Sequence, residues 1–335
     1  MAFSLVDLKS SVRAIATVPL LLGLWQPLRR TIAILNYHRV TDDAEADTKF
    51  NPNLPLYVDV DDFDKQLRFL KANSNCLTIH EAVRNLETGV SSSSGGVALT
   101  FDDGYRDNLT LALPIAEKYG VPFTIFVTTG FVDRTADLWW EEHRFLIERC
   151  PTLAMEYGHR KYSWDLSNEA NKYQAAEQLR TLFKEMDTVR QKASLSQLRA
   201  QCSETYSYDS EILTWDELSE LAKHPLITLG VHTCTHAVLS RLSDAEVERE
   251  LLESRAYLRE KLGLDFDLLA YPMGQKEHAD TREFAVAEKA QFRAAFTSRS
   301  GAMPHLGSRS MFEIPRIPVD YGDTLSSFAW KAAGL

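Results

Sequence analysis

An α/β fold, a parallel sheet or barrel wrapped by helices, is predicted by two features of this sequence. Short apolar runs rich in β-branched residues alternate along the chain with amphipathic stretches of helical period. Histidines and aspartates follow several of those runs directly, and in such folds strand ends carry the active groups. Length and composition agree, since 335 residues at 44% hydrophobic and 25% charged suffice for a large buried core and exclude a mostly disordered chain.

Residues 14–25, AIATVPLLLGLW, are apolar and lie between Arg13 and the pair Arg29 and Arg30. The run is too short to span a bilayer and lacks a clear small-residue cleavage site. Residues 1–30 therefore read as an apolar, basic N-terminal helix, with peripheral membrane contact open to residues 14–30. Residues 31–335 read as one domain. TIAIL at 31–35 is a buried strand that delivers His38 in NYHRV. DVDDFDKQLRFLKAN offers acidic caps and then Phe63, Leu67 and Leu70 at helical spacing. SSSSGG at 91–96 is a loop by composition, residues 97–101 form the next strand, and the segment after Gly104 through Tyr119 is its helix. VPFTIFVTTG repeats the strand-then-glycine pattern. The stretch from about 133 to 210, rich in Glu, Lys, Arg and Gln, reads as a helical insertion with Trp139 and Trp140 near its start; such a pair either packs or platforms a sugar ring. Alternation resumes through LITLGV, SDAEVERELLESRAYLREKLG, DLLAYPMG, TREFAVAEKA and FRAAFTS. No repeat of fixed period and no glycine-rich phosphate loop is evident.

The balance of 37 basic against 47 acidic residues, net charge -10, argues against nucleic acid as the main partner. Cys76, Cys150, Cys202 and Cys234 are scattered without a CxxC pair, which suits a reducing compartment better than a disulfide framework or a zinc knuckle. With no convincing signal segment, the chain reads as cytoplasmic, with attachment at the inner face of the membrane open to it.

The strand ends bring a specific chemistry. VALTFDDGYRDN places Asp102 and Asp103 side by side at the mouth of a buried strand, and two adjacent carboxylates need a cation or a proton between them. GVHTCTHAVLS places His232 and His236 four apart; on a helical turn that spacing would stack both imidazoles on one face. Thr233 stands where HExxH would have its glutamate, so the zincin reading fails. A carboxylate and two histidines complete a three-ligand site for a divalent ion, most readily Zn2+, with Co2+, Ni2+ or Fe2+ also suited. One aspartate would ligate the ion and the other stay free as a general base.

TFDDG followed downstream by HTCTH resembles the first two motifs of the polysaccharide deacetylases, the NodB-homology or carbohydrate esterase family 4 fold, and LLAYPMG resembles their third. The order matches, and the resemblance covers about residues 31–320 with the helical stretch as an interruption. It implies a deformed (β/α) barrel in which Asp102 is the base, Asp103, His232 and His236 hold the metal, and the backbone N–H of Tyr271 helps hold the oxyanion. LNYHRV looks like the N-terminal strand motif of the biofilm-exopolysaccharide branch, which implies His38 as the catalytic acid, with His305 in MPHLG as a rival. The third motif lacks the arginine that many members place there to orient the base, and Arg316 in FEIPRIPVD is the candidate substitute. The implied activity is removal of N-acetyl groups from an amino-sugar glycan or glycoconjugate. The same residues would also suit a C–N hydrolase of a cyclic imide or ureide, a carbohydrate-binding relative without turnover, or an iron oxygenase, where the second aspartate has no use.

Overall fold

The protein is described by a computed structural model covering residues 31–43, 46–88, 95–303 and 311–335. The expected N-terminal helix and His305 lie outside the described residues. In chain order the strands are β1 (Ile32–Tyr37), β2 (Arg39–Thr41), β3 (Tyr57–Asp59), β4 (Gly96–Phe101), β5 (Phe123–Val127), β6 (Thr152–Tyr157), β7 (Arg160–Asp165), β8 (Ile227–Val231), β9 (Leu268–Ala270), β10 (Ala294–Phe296) and β11 (Ile317–Pro318). The principal helices are α1 (Val60–Asn73), α2 (Ile79–Thr88), α3 (Leu113–Tyr119), α4 (Thr129–Val132), α5 (Trp139–Arg149), α6 (Glu169–Lys184), α7 (Thr188–Arg199), α8 (Trp215–Leu221), α9 (Asp244–Leu262), α10 (Thr281–Lys289) and α11 (Leu325–Ala332).

One sheet of seven parallel strands, ordered β10-β9-β8-β5-β4-β1-β11, carries the molecule. Its strands are buried on both faces, which is why they read as continuous apolar runs rather than alternating ones. Leu35, Leu99, Ile125 and Leu269 pack into one core with α1, whereas Ile34, Ala98, Phe126 and Phe296 belong to a second. Because β1 and β10 stand far apart in the strand order yet share that second core, the sheet must curl. Ile314 bridges to Phe296 after β10, and Ile317 pairs with Leu35 of β1, so the segment 311–318 joins the two edges and closes a deformed barrel.

The local signals explain the helices nearest the site. Asp59 caps α1, accepting from the backbone N–H groups of Asp61 and Asp62, and Phe63, Leu67 and Leu70 are buried as their spacing requires. Ser243 and Glu246 form a capping box at the start of α9, and Gly263 with φ 68° ends it. After Gly104 the chain makes a π-helical turn at Asn108–Ala112 before α3, so the expected single helix arrives in two pieces. The stretch 133–210 holds α5, α6 and α7, but also the antiparallel hairpin β6–β7, turned at Gly158 with φ 63°. That hairpin corrects the all-helical expectation.

Candidate active site

The ends of β1, β4, β8 and β9 deliver residues into one cavity of about 350 Å³, lined among others by His38, Asp102, Asp103, His232, His236 and Met273. β4 ends at Phe101, and the turn behind it is tight: Asp103 has φ 74° and Gly104 φ 82°. Aspartate tolerates this left-handed conformation better than most residues, so the DDG sequence turns the two carboxylates in different directions.

Asp103 faces the histidines. Its Oδ1 lies 3.2 Å from His236 Nε2 and 3.5 Å from His232 Nε2. All three residues are buried, and their ligand atoms lie within 4.8 Å of one another. His232 Nδ1 donates to the Ala270 carbonyl at 2.8 Å, which leaves its Nε2 as a bare lone pair turned toward Asp103. Asp103 Oδ1 has no hydrogen-bond partner. Electron pairs converging in a buried space repel each other unless a proton or a cation sits among them. Burial opposes charge at Asp103, yet the two imidazoles outweigh it and hold the carboxyl well below the usual carboxylate range. Burial likewise opposes protonation of His232, but Asp102 and Asp103 raise its pKa above the ordinary value. The donor set, one carboxylate oxygen and two imidazole nitrogens, that of His232 with its tautomer fixed, fits a first-row divalent ion.

The HTCTH segment is not the helical turn expected from its spacing. Past β8 it is a loop in which Thr233 and His236 have φ 66° and 55°, and this loop brings the two imidazole rings to 5.0 Å. Thr233 Oγ1 accepts from the His236 N–H at 3.1 Å. From α9 the Glu250 carboxylate accepts from the N–H groups of Cys234 and Thr235, both at 2.9 Å, and from the Thr235 hydroxyl at 2.7 Å. Phe131 stacks on the His236 ring and Trp140 tilts against it at 4.8 Å.

Asp102 faces the other way. Arg316, fully buried in the closing segment, grips it with Nη1 on Oδ1 and Nη2 on Oδ2, each at 2.7 Å. Its Nε donates to the Thr297 carbonyl at 3.1 Å and Nη1 also reaches the Thr100 hydroxyl at 3.1 Å. Burial alone would raise the Asp102 pKa, but Arg316, then His232, hold it below the ordinary value. His38 Nε2 stands 4.0 Å from Asp102 Oδ2, and a quarter of its side-chain surface remains accessible. Burial lowers its pKa against the pull of Asp103 and Asp102.

Sequence reasoning placed one residue wrongly. The Tyr271 N–H donates to the Phe296 carbonyl at 3.0 Å, continuing the ladder between β9 and β10, and its hydroxyl donates to the Phe312 carbonyl at 3.1 Å. An N–H committed to a sheet is not available to an oxyanion. The residue of this motif that lines the cavity is Met273, at φ 59°, and among the described residues its N–H meets no acceptor. Gly274 follows because a Cβ there would come within 2.4 Å of the Ser298 nitrogen.

Sequence reasoning also missed the network beneath His38. Arg39 Nε donates to Asp107 at 2.9 Å and its Nη1 to Glu211 at 2.6 Å and the Tyr57 hydroxyl at 2.9 Å. The Asp107 carboxylate also accepts the Val40 N–H at 3.1 Å, which pins the His38 strand end to the turn after Asp103. Arg39 and Asp107 stand inside NYHRV and DDGYRD, so adjacency to the motifs was the signal. Trp139 and Trp140 are both buried and both line the cavity; Trp140 packs on His236 and its Nε1 donates to the Tyr105 hydroxyl at 2.9 Å, while Trp139 packs on His143 and Phe183.

Comparison with known proteins bears on the fold. The polysaccharide deacetylase family pattern matches residues 90–295. YxkH of Bacillus subtilis (strain 168), which carries a polysaccharide deacetylase name, is 21% identical over 298 residues, covering 89% of this chain and 74% of that protein. Among solved structures, the Streptococcus pyogenes deacetylase PplD in complex with acetate superposes with a TM-score of 0.61 at 19% identity, covering 90% of this chain and 98% of that one. IcaB from Ammonifex degensii gives 0.56 at 18% identity, covering 90% and 97%. At these identities the likeness is one of fold.

Proposed function

We propose that this chain, which belongs to the polysaccharide deacetylase family and is thus a hydrolase that deacetylates carbohydrate, is a metal-dependent N-deacetylase of an acetylated amino sugar. The observation that carries the reading is the division between the two aspartates: Asp103 is turned to the histidines and Asp102 is held by Arg316. Asp103, His232 and His236 would hold a divalent ion, most readily Zn2+. When bound, such an ion supplies Lewis-acid polarisation of an acetamide carbonyl and acidifies water, together several kcal/mol of barrier lowering.

The chain's own groups take the remaining roles. Asp102, kept ionised by Arg316, would accept the proton of the attacking water. The cavity-lining Met273 N–H, in place of Tyr271, would donate to the developing oxyanion, and such a donor is typically worth about 3 kcal/mol. His38, within 4.0 Å of Asp102, would give a proton to the departing amine. Base and acid thus stand side by side: Arg316 keeps Asp102 ionised, while the pull of Asp103 and Asp102 offsets part of the burial that lowers the His38 pKa.

Acetate release from N-acetylglucosamine oligomers, after chelation and after return of zinc, cobalt or nickel, tests the reading. Release should need the ion. Asp102→Asn should abolish turnover and keep the metal, whereas Asp103→Ala should lose both. Metal lost from Asp102→Asn would overturn the division of labour.

A further inference from the structure

We propose that the wall contributed by α6 is a subsite for a phosphoryl group, so that the substrate is a phosphate-bearing acetamido sugar rather than a neutral glycan; this rests on the deacetylase reading above and narrows it. Arg180 and Lys184 stand one helical turn apart on α6 and both line the cavity. Like charges at that spacing repel and weaken a helix unless something compensates them.

Arg180 is partly spoken for: one Nη meets Glu177 at 3.3 Å, and the other donates to the Pro52 carbonyl at 2.7 Å and to Asn53 Oδ1 at 2.9 Å. Lys184 is half-buried, and among the described residues its ammonium has neither an ion pair nor a hydrogen bond. Burial lowers its pKa, and Arg180 lowers it further; Glu177 and the exposed Glu277 pull the other way without reaching ion-pair distance. A partly desolvated cation without a counterion is costly. Among the described residues no carboxylate reaches this ammonium. The cavity-lining acids are Asp102, Asp103 and Asp320, and Asp320 is paired with Lys331 at 3.1 Å.

His278 also lines the cavity, but its unpartnered Nδ1 is enclosed, and burial first, then Lys184, lower its pKa, so it adds no charge beside the lysine. The wall therefore presents a lysine point charge and an arginine field to whatever enters beside the aspartates. A phosphate ester, dianionic at neutral pH, matches the charge and offers several acceptor oxygens. A neutral oligosaccharide would leave the lysine unanswered.

Steady-state acetate release should be compared for N-acetylglucosamine 1-phosphate, a nucleoside-diphosphate N-acetylglucosamine, N-acetylglucosamine oligomers and an acetamido uronic acid oligomer, with wild type, Lys184→Gln, Lys184→Glu and Lys184→Arg. The phosphate-bearing sugars should exceed the neutral oligomers at least tenfold in kcat/KM. Lys184→Gln should erase the preference chiefly through KM, Lys184→Glu should reverse it, and Lys184→Arg should restore it, with unfolding temperatures confirming that each variant folds. Equal kcat/KM for neutral and phosphorylated sugars, or preference for the uronic acid oligomer, overturns the subsite while the deacetylase stands. Calorimetric binding of N-acetylglucosamine 1-phosphate to Asp102→Asn separates the two ideas. Lys184-dependent binding without acetate release from any substrate would keep the subsite and sink the deacetylase. Binding indifferent to Lys184 sinks the subsite alone.

Discussion

Asp102 and Arg316 illustrate how one charge pair sets a chemical role. A wholly buried carboxyl beside another carboxylate would protonate, and the two bonds from the guanidinium prevent it. Arg316→Met removes the strongest restraint and leaves burial opposed only by the imidazoles of His232 and His38, so the Asp102 pKa should rise. The sign follows: a base must be ionised to work, and activity is lost as pH falls through its pKa, so the acid limb of kcat/KM should move to higher pH. The alkaline limb, set by loss of the His38 proton, should move to higher pH as well, because the Arg316 charge is one of those that lower the His38 pKa. Removing one partner of a buried pair also costs about 3–5 kcal/mol of stability, so the profile is read alongside an unfolding curve and against Arg316→Lys, which should keep part of the shift in check. An unmoved acid limb in a folded Arg316→Met would show that Asp102 is not the titrating base. Arg316 was legible in the sequence as a candidate because an arginine beside the last strand could replace the one absent from the third motif. Tyr271 was misread, because a motif gives residue types and not which N–H the sheet has already taken.

At the scale of elements, the histidine loop depends on a helix that contributes no ligand. Glu250 of α9 takes hydrogen bonds from Cys234 and Thr235, holding the loop at the left-handed turns that aim His236. Glu250→Ala should therefore weaken zinc binding about 10- to 100-fold, the usual cost of losing an outer partner, while leaving the fold intact. Competition with a chromophoric chelator measures it, and an affinity equal to wild type would show that the loop holds itself. The HxxxH spacing announced the pair correctly and its conformation wrongly, since two residues four apart can converge on a helix or on a loop with positive φ. The hairpin β6–β7 escaped notice for a related reason: only Leu153, Met155 and Trp164 of its side chains are buried hydrophobics, and the helix-forming composition on either side masks the alternation. The parallel strands were legible because burial on both faces leaves an unbroken apolar run.

Over the whole molecule, the curl of the sheet turns sequence distance into contact: Asp102 and Arg316 meet because the segment 311–318 joins the two edges. Pairings between ends so remote have no local signature, so the sequence could show which strand ends carry chemistry but not how the barrel closes over them. The same closure makes the site a lever on global stability. A ligand that binds the folded site and not the unfolded chain stabilises by mass action, about 2.7 kcal/mol at a free concentration of roughly 100 times Kd. Zinc should raise the unfolding temperature accordingly. A proton competes for the same His232 nitrogen, and Asp102 and Asp103 raise that group's pKa despite burial. In the metal-free protein the raised pKa means that protonated His232 contributes stability at low pH, lost as pH rises through the folded value. For zinc the sense is opposite: its stabilisation is full above that pKa and fades as pH falls through it, while Asp103, far below its usual range, stays ionised throughout. Calorimetric scans with and without zinc at about pH 8 and about pH 5 should show a large shift at the first and a small one at the second, and none at either in Asp103→Ala. An equal shift at both pH values would mean that the ion binds away from His232, and a shift surviving in Asp103→Ala would mean that it binds elsewhere on the chain.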